Sequence, residues 1–245
     1  MSENENEWFK NWFDTAYYHI LYKKRDHSEA SRFIDALVDY LAPPKASKFL
    51  DLACGKGRHS IYLNQKGFDV TGLDLSHNSI HCARKLESQS LRFLEHDMRL
   101  PLENFKFDYI LNLFTSFGYF DEIEDDKAVI RNVKQCLKPE GTFVLDYFNA
   151  AKPNANFDVL FTKTIDNIEF EIIKQIKQGR IIKKITVNDS GKILKYAEQV
   201  RLYNLEQFKQ IITDQGLNIV QTFGSYDLEP YNEETSDRLI LLVKN

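Results

Sequence analysis

What this chain lacks narrows it first. It has no surplus of positive charge: 32 Lys and Arg stand against 36 Asp and Glu, a formal net charge of −4. That removes any general electrostatic pull toward nucleic acid. Its cysteines number three. Cys54, Cys82 and Cys136 are widely spaced and odd in number, which fits neither a disulfide scaffold nor a set of zinc ligands. No metal site is expected. No apolar run is long enough to span a bilayer, so no membrane partner is expected. The opening segment Met1-Ser2-Glu3-Asn4-Glu5-Asn6-Glu7 is acidic and polar rather than basic and then apolar, unlike a secretory signal. The expectation is a soluble, reduced, cytoplasmic protein. Internal repeats and low-complexity segments are also absent. What remains is 245 residues, 43% of them hydrophobic, enough for one domain, or one domain with an insertion, around a full core.

The strongest local signal is Phe49-Leu50-Asp51-Leu52-Ala53-Cys54-Gly55-Lys56-Gly57-Arg58-His59. An apolar strand ends near a carboxylate, a Gly-x-Gly turn follows, and a helix begins. Glycine lets a ligand approach the backbone because it has no Cβ and tolerates positive φ, and a new helix points unpaired N–H groups at the same place. A second carboxylate, Asp74, closes the strand-like run from Asp69. Two acids and a glycine turn at successive strand ends suit a nucleoside with ribose hydroxyls. The third glycine of a dinucleotide fingerprint is replaced by Ser60, and no Lys-Ser or Lys-Thr pair of a phosphate loop follows. A nucleoside without a pyrophosphate is therefore expected. Taken alone, Asp51 reads equally as a helix cap. Cys54 reads as a small apolar filler, with a reactive thiol as the alternative.

The pattern around this signal is organised in blocks. Residues 8–42 read as helices, beginning with an aromatic stretch through Trp8, Trp12, Phe13, Tyr17, Tyr18 and Tyr22 and ending at Pro43-Pro44. Residues 48–149 alternate strand candidates (48–52, 69–74, 91–95, 107–113, 141–147) with helix candidates (57–66, 77–86, 124–137). That alternation predicts a doubly wound, mostly parallel sheet, an α/β fold. Residues 150–203, opening on a loop with Pro153, change to period-two runs with turn signals at Gln178-Gly179 and Asn188-Asp189-Ser190-Gly191, which predicts a small antiparallel inserted sheet. Lys174, Lys177, Arg180, Lys183 and Lys184 alternate there with apolar residues, as on a solvated sheet face. Residues 204–245 predict a last helix, capped by Asn204 and stopped by Gly216, and two strands completing the main sheet.

Five segments in order resemble the class I S-adenosylmethionine-dependent methyltransferases. Asp51-Leu52-Ala53-Cys54-Gly55-Lys56-Gly57 is similar to the first motif, Val70-Thr71-Gly72-Leu73-Asp74-Leu75-Ser76 to the second and His96-Asp97-Met98-Arg99 to the third. Phe107 to Phe114 is similar to the fourth strand, and Leu137-Lys138-Pro139-Glu140-Gly141-Thr142 to the turn before the fifth. The resemblance implies a Rossmann-like single domain over 1–245 whose cofactor is S-adenosyl-L-methionine. It implies cofactor-binding roles for Asp51, Ala53, Gly55 and Gly57 at the methionine part. Asp74 and Leu75 would lie at the ribose, Asp97 and Met98 at adenine, and Leu113 and Phe114 beyond the fourth strand. Asp97 read alone is a turn cap and Met98 a core residue. The run Thr115-Ser116-Phe117-Gly118-Tyr119-Phe120 lacks the Asn/Asp-Pro-Pro-Tyr tetrapeptide of enzymes acting on base amines. It resembles that of small-molecule, amino-sugar-type N-methyltransferases, with Thr115, Ser116 and Tyr119 at the acceptor. In that family the N-terminal helices form a lid. Tyr18, Tyr22 and Arg25 lie at helical spacings that allow one shared face, with Arg25 and Tyr22 then reaching the cofactor and Tyr18 and His19 the chemistry. The plainer readings are an aromatic core stripe and a structural histidine.

The expected activity is methyl transfer to a small-molecule acceptor, amine nitrogen ahead of oxygen. A nicotinamide-dependent oxidoreductase is the alternative enzyme, and a non-catalytic sensor of the cofactor the alternative outside enzymes. A homodimer is left open, the inserted sheet serving either as a dimer surface or as a cavity wall.

Overall fold

The computed structural model describes residues 8–23, 27–152 and 159–245; Pro153 and the acidic opening segment lie outside them. The chain divides into two compact units. One takes in Asp26–Phe117, Glu122–Lys152 and Tyr203–Asn245, the other Met1–Arg25, Gly118–Asp121 and Pro153–Leu202.

The larger unit begins with α3 (His27–Leu41), which follows two helices of the smaller unit, α1 (Trp8–Phe13) and α2 (Ala16–Leu21). It continues through β1 (Lys48–Leu52), α4 (Arg58–Gln65), β2 (Asp69–Asp74), α5 (His77–Ala83), β3 (Leu91–Glu95), β4 (Phe107–Asn112), α6 (Ile123–Cys136) and β5 (Leu137–Phe148). It ends with α7 (Leu205–Asp214), β10 (Asn218–Phe223) and β11 (Arg238–Lys244). Seven strands lie in the order β10-β11-β5-β4-β1-β2-β3. Neighbours from β5 to β3 are parallel, while β11 runs antiparallel to both β5 and β10. The expected mostly parallel sheet with helices is therefore present. It is buried on both faces, as parallel sheets require. Phe49, Val70, Phe93 and Val144 pack with Phe33 and Leu37 of α3 and Leu63 of α4 on one face. Leu50, Leu52 and Leu73 face Val129 and Val133 of α6 on the other. From β1 the chain winds outward through β2 and β3, then crosses back to β4 on the other side of β1. The carboxyl ends of β1 and β4 thus flank a topological switch point, where ligands of such sheets bind.

The smaller unit is a meander of β6 (Val159–Ile165), β7 (Ile168–Lys177), β8 (Arg180–Asp189) and β9 (Lys192–Arg201). Each connection is two residues long, with positive φ at both: Asp166-Asn167, Gln178-Gly179 and Ser190-Gly191. Those are the turns whose twist matches that of paired strands. The helices α1 and α2 lay Trp12 and Leu21 against Phe170, Ile172, Ile185 and Val187, with Tyr18 and Tyr22 packed around that cluster. The basic run on this sheet is not a solvated face throughout, as the alternation suggested. The Lys183 ammonium donates to Glu198 (2.8 Å) and to the Tyr22 hydroxyl (2.9 Å), and Arg180 donates to the carbonyls of Phe120 and Asp121. Burial alone would push the Glu198 carboxyl up, but Lys183, Trp12 and Tyr22 together hold it below its ordinary value.

At α7 the expected cap is complete. The Asn204 side chain accepts from the Gln207 N–H (2.9 Å) while the Gln207 side chain accepts from the Asn204 N–H (3.0 Å). Replacing Asn204 by Ala is expected to lower stability by about 1 kcal/mol, and Asn204→Asp by much less, since Asp caps as well as Asn; urea unfolding of the three proteins checks this.

Candidate cofactor site

The glycine loop leaves β1 with three residues in left-handed backbone: Ala53 (φ 63°), Gly55 (φ 56°) and Gly57 (φ 80°). The two glycines serve different ends. A Cβ on Gly57 would collide with the Phe93 ring, so that position is closed by the protein's own packing. A Cβ on Gly55 would meet nothing within 4 Å, so the backbone there faces open space. Gly55 therefore carries the ligand-facing argument, and Gly57 lets the helix α4 start close to the sheet. Cys54 is buried, and burial pushes its thiol well above the ordinary value. That matches the filler reading rather than a reactive thiolate.

The Asp74 carboxylate clasps the loop. One oxygen accepts from the Gly55 N–H at 2.7 Å and the other from the Ser76 N–H at 2.8 Å. A carboxylate offers about four acceptor sites and the group is half-buried, so hydroxyls of a ligand can approach it. Leu75, also half-buried, follows it. Asp51 is 1% exposed; it is not the N-cap residue of α4, which is Gly57, but it meets the backbone N–H of Ser60 in that helix's first turn. It accepts from the Ser60 hydroxyl at 2.6 Å, so the serine in the place of a third glycine braces the loop from inside the helix. Burial raises the Asp51 carboxyl to about 6, with Asp74 adding to the effect and the Ser60 bond opposing it.

At the tip of β3, Asp97 is gripped by Arg99. The Arg99 Nε lies 3.1 Å from each carboxylate oxygen and Nη2 lies 2.6 Å from one. The same guanidinium reaches Asp125 on α6 at 3.4 Å. The sequence reading placed Asp97 without its partner, although a basic residue two positions on is the signal that would have found it. Met98 borders an apolar pocket that is partly open to solvent, with Leu73, Leu100 and Val129 among its lining residues. Asp97 sits between two other lining residues, His96 and Met98, so a carboxylate and an apolar slot adjoin.

At the tip of β4, Leu113 is buried in the core, which leaves only its backbone for a ligand. Phe114 (φ 57°) and Thr115 (φ 62°) are both left-handed. For residues other than glycine this costs about 1–2 kcal/mol each, and for β-branched threonine it is a marked outlier. The Ser116 hydroxyl donates to the Leu113 carbonyl (2.9 Å). Asn112, fully buried, donates from its amide to the carbonyls of Leu52 (3.1 Å) and Ser116 (3.3 Å), so it ties the two strand ends of the switch point together. Its Oδ1 has no hydrogen-bond partner among the described residues. A buried orphan acceptor of this kind calls for a reason.

The remaining expected site residues belong to the smaller unit. Tyr22 donates its hydroxyl to Glu198 (2.7 Å). The Tyr18 ring packs on Trp12, Phe13, Tyr22 and His19, and Tyr119 packs on Trp8 and Phe13. Within this unit they form the aromatic cluster of the plainer reading. Arg25 lies outside the described residues. No group of His, Cys, Asp and Glu among the described residues could hold a metal ion, and no helix there is long and apolar enough to cross a membrane.

The Asp51 carboxyl sets a pH dependence. Its folded value is raised from 3.8 to about 6, so between these values the native state holds a proton that the unfolded state has lost. Stability attributable to Asp51 therefore falls as pH rises from about 4 to about 6, by roughly 2–3 kcal/mol, and is flat above. Urea unfolding of wild type and Asp51→Asn across this range is expected to show the variant gaining on wild type by that amount. A constant difference would remove the shift.

Comparison with known proteins agrees with this geometry. The family described as "Methyltransferase domain" matches residues 22–222. A putative methyltransferase of Geobacillus sp. (strain WCH70) is 26% identical over 97% of this chain and 98% of its own length. The dTDP-3-amino-3,4,6-trideoxy-alpha-D-glucopyranose N,N-dimethyltransferase of Streptomyces venezuelae is 25% identical over 72% of this chain and 77% of its own. Among solved structures, an S-adenosylmethionine-dependent methyltransferase from Clostridium acetobutylicum ATCC 824 superposes with a TM-score of 0.78 at 25% identity, over 96% of this chain and 98% of that one. A parallel sheet whose switch point carries a glycine loop clasped by an acid, matched by the family over most of its length, places this chain in the methyltransferase-domain family.

Proposed function

We propose that this S-adenosylmethionine-dependent methyltransferase acts on an amine nitrogen of a small molecule, with its cofactor held at the carboxyl ends of β1 to β4. The observation that carries the cofactor placement is the clasp of Asp74 on the Gly55 N–H, with open space at Gly55. In this reading Asp74 accepts the ribose hydroxyls, for which a carboxylate with spare lone pairs is suited. Asp97, held in the fork of Arg99, accepts from the adenine amino group while Met98 flanks the ring. The backbone of Ala53, Gly55 and Leu113 meets the methionine part. Asp51 acts at one remove, fixing the loop through Ser60.

S-adenosylmethionine supplies a methyl group on a positively charged sulfur that leaves as a neutral thioether, so the protein need not protonate a leaving group. The work left to the chain is alignment of the acceptor and exclusion of water. An amine that arrives neutral needs only a place to lose its proton after attack, whereas a hydroxyl needs a base beforehand. Support for nitrogen also comes from the amino-sugar dimethyltransferase of Streptomyces venezuelae, similar over 72% of this chain. The family match favours this reading over the nicotinamide-dependent alternative.

Asp74→Ala is expected to weaken binding of S-adenosylhomocysteine about ten- to a hundredfold, since charge-assisted hydrogen bonds are worth about 1.5–3 kcal/mol each. Calorimetry reads this directly, and equal affinity removes the ribose role. A screen with labelled methyl donor across amino sugars, amino acids and their hydroxyl analogues tests the acceptor class; transfer confined to hydroxyls overturns the preference for nitrogen. Once an acceptor is found, His19→Ala and Tyr18→Phe test the catalytic roles expected of these two. A catalytic role lowers turnover with cofactor-product affinity unchanged.

A further inference from the structure

The strained turn at the end of β4 is held by a buried ion pair that the reading above does not use. Asp146, fully buried near the end of β5, takes two of the turn's groups in hand. Its Oδ2 accepts from the Phe114 N–H at 2.7 Å, and its main-chain carbonyl accepts from the Thr115 N–H at 3.0 Å. Its Oδ1 accepts from Arg238 Nε at 2.8 Å and Nη2 at 2.6 Å, and that Nη2 also donates to the Thr115 hydroxyl at 3.0 Å. Tyr226 closes the set: its hydroxyl lies 3.3 Å from Asp146 Oδ2 and its ring stacks on Phe114 at 5.1 Å. On its other contacts the Phe114 ring meets Arg58 at 4.4 Å and His59 at 5.0 Å, residues of the first turn of α4 directly after the glycine loop.

A buried ion pair is a poor stabiliser in itself, because desolvation consumes most of the attraction. Two adjacent left-handed residues are a second expense, and such strain persists only where surrounding structure over-determines it. Here both fall on the same few atoms. We infer that Asp146 and Arg238 are positioning residues of the cofactor site, whose ion pair holds Phe114 and Thr115 in left-handed backbone against the start of α4. The inference rests on the proposed function, since it concerns the shape of the surface that the cofactor meets at β4. The pair touches no ligand directly. It presets the loop, so binding does not have to fold it.

The inference separates from a merely structural role through glycine. If the pair serves to hold left-handed backbone, a residue that adopts it freely makes the pair dispensable. The full chain is titrated calorimetrically with S-adenosylhomocysteine as wild type, Arg238→Lys, Asp146→Asn, and each of these combined with Thr115→Gly, with circular dichroism on the same samples. Arg238→Lys keeps the charge beside Asp146 but loses the fork, and it carries the test if Asp146→Asn does not fold. The expected result is folded Arg238→Lys binding about tenfold more weakly than wild type, with the added Thr115→Gly returning affinity to within about threefold. Arg238→Lys binding as tightly as wild type overturns the inference, and so does a loss that glycine does not restore. A wild-type protein that fails to bind S-adenosylhomocysteine overturns the cofactor site itself, which is distinguishable because it needs no variant.

Discussion

Parallel strands that wind away from one another on either side of β1 leave two strand ends, those of β1 and β4, with no helix crossing between them. Everything proposed for the larger unit follows from keeping that gap open and shaped. Backbone leaving the two strands must turn sharply in left-handed conformation, at Ala53, Gly55 and Gly57 on one side and at Phe114 and Thr115 on the other. Such turns do not hold themselves. On the β1 side Asp74 clasps Gly55 and Ser60 braces Asp51. Asn112 crosses from one lip to the other.

The acids of this region differ in what they are asked to do, and their surroundings sort them. Asp51 is shut away and reluctant to ionise. Asp97 lies in the fork of Arg99, which fixes its orientation. Asp74 is half-buried and holds the backbone N–H groups of Gly55 and Ser76, one on each oxygen. Three carboxylates at neighbouring strand ends thus make an internal brace, a fixed acceptor and an accessible acceptor. Only burial and partners distinguish them, because the residue type is the same.

The sequence made the local parts of this arrangement readable. A strand, an acid and two glycines within a few residues carry their own geometry, and the alternation of apolar periods carried the parallel sheet. Parts that depend on pairing across the chain were harder. Ser60 was noticed as an absent glycine, not as a partner of Asp51, because that requires knowing how the first turn of α4 comes back over β1. Register alone would have set Lys183 opposite Glu198, by counting outward from the Ser190-Gly191 turn. The burial that makes the pair matter comes from Trp12 and Tyr22, far away in sequence. Asp146 did leave a trace, as a lone charge inside Phe143-Val144-Leu145-Asp146-Tyr147-Phe148, where an unpaired acid would be untenable. Its partner on β11 is named only by the antiparallel pairing of two strands separated in the chain by the inserted sheet, α7 and β10.

The smaller unit has a consequence for how the chain reaches its native state. Its three tight turns make every strand pair local, so the meander can zip from any hairpin. Its covering helices, however, lie at residues 8–21, while the sheet they cover begins at residue 159. During synthesis the aromatic stripe of α1 and α2 emerges first, and its own docking surface emerges only after most of the parallel sheet. For that interval Trp12 and Leu21 are sticky surface awaiting cover, the condition in which nascent chains recruit chaperones or misassociate.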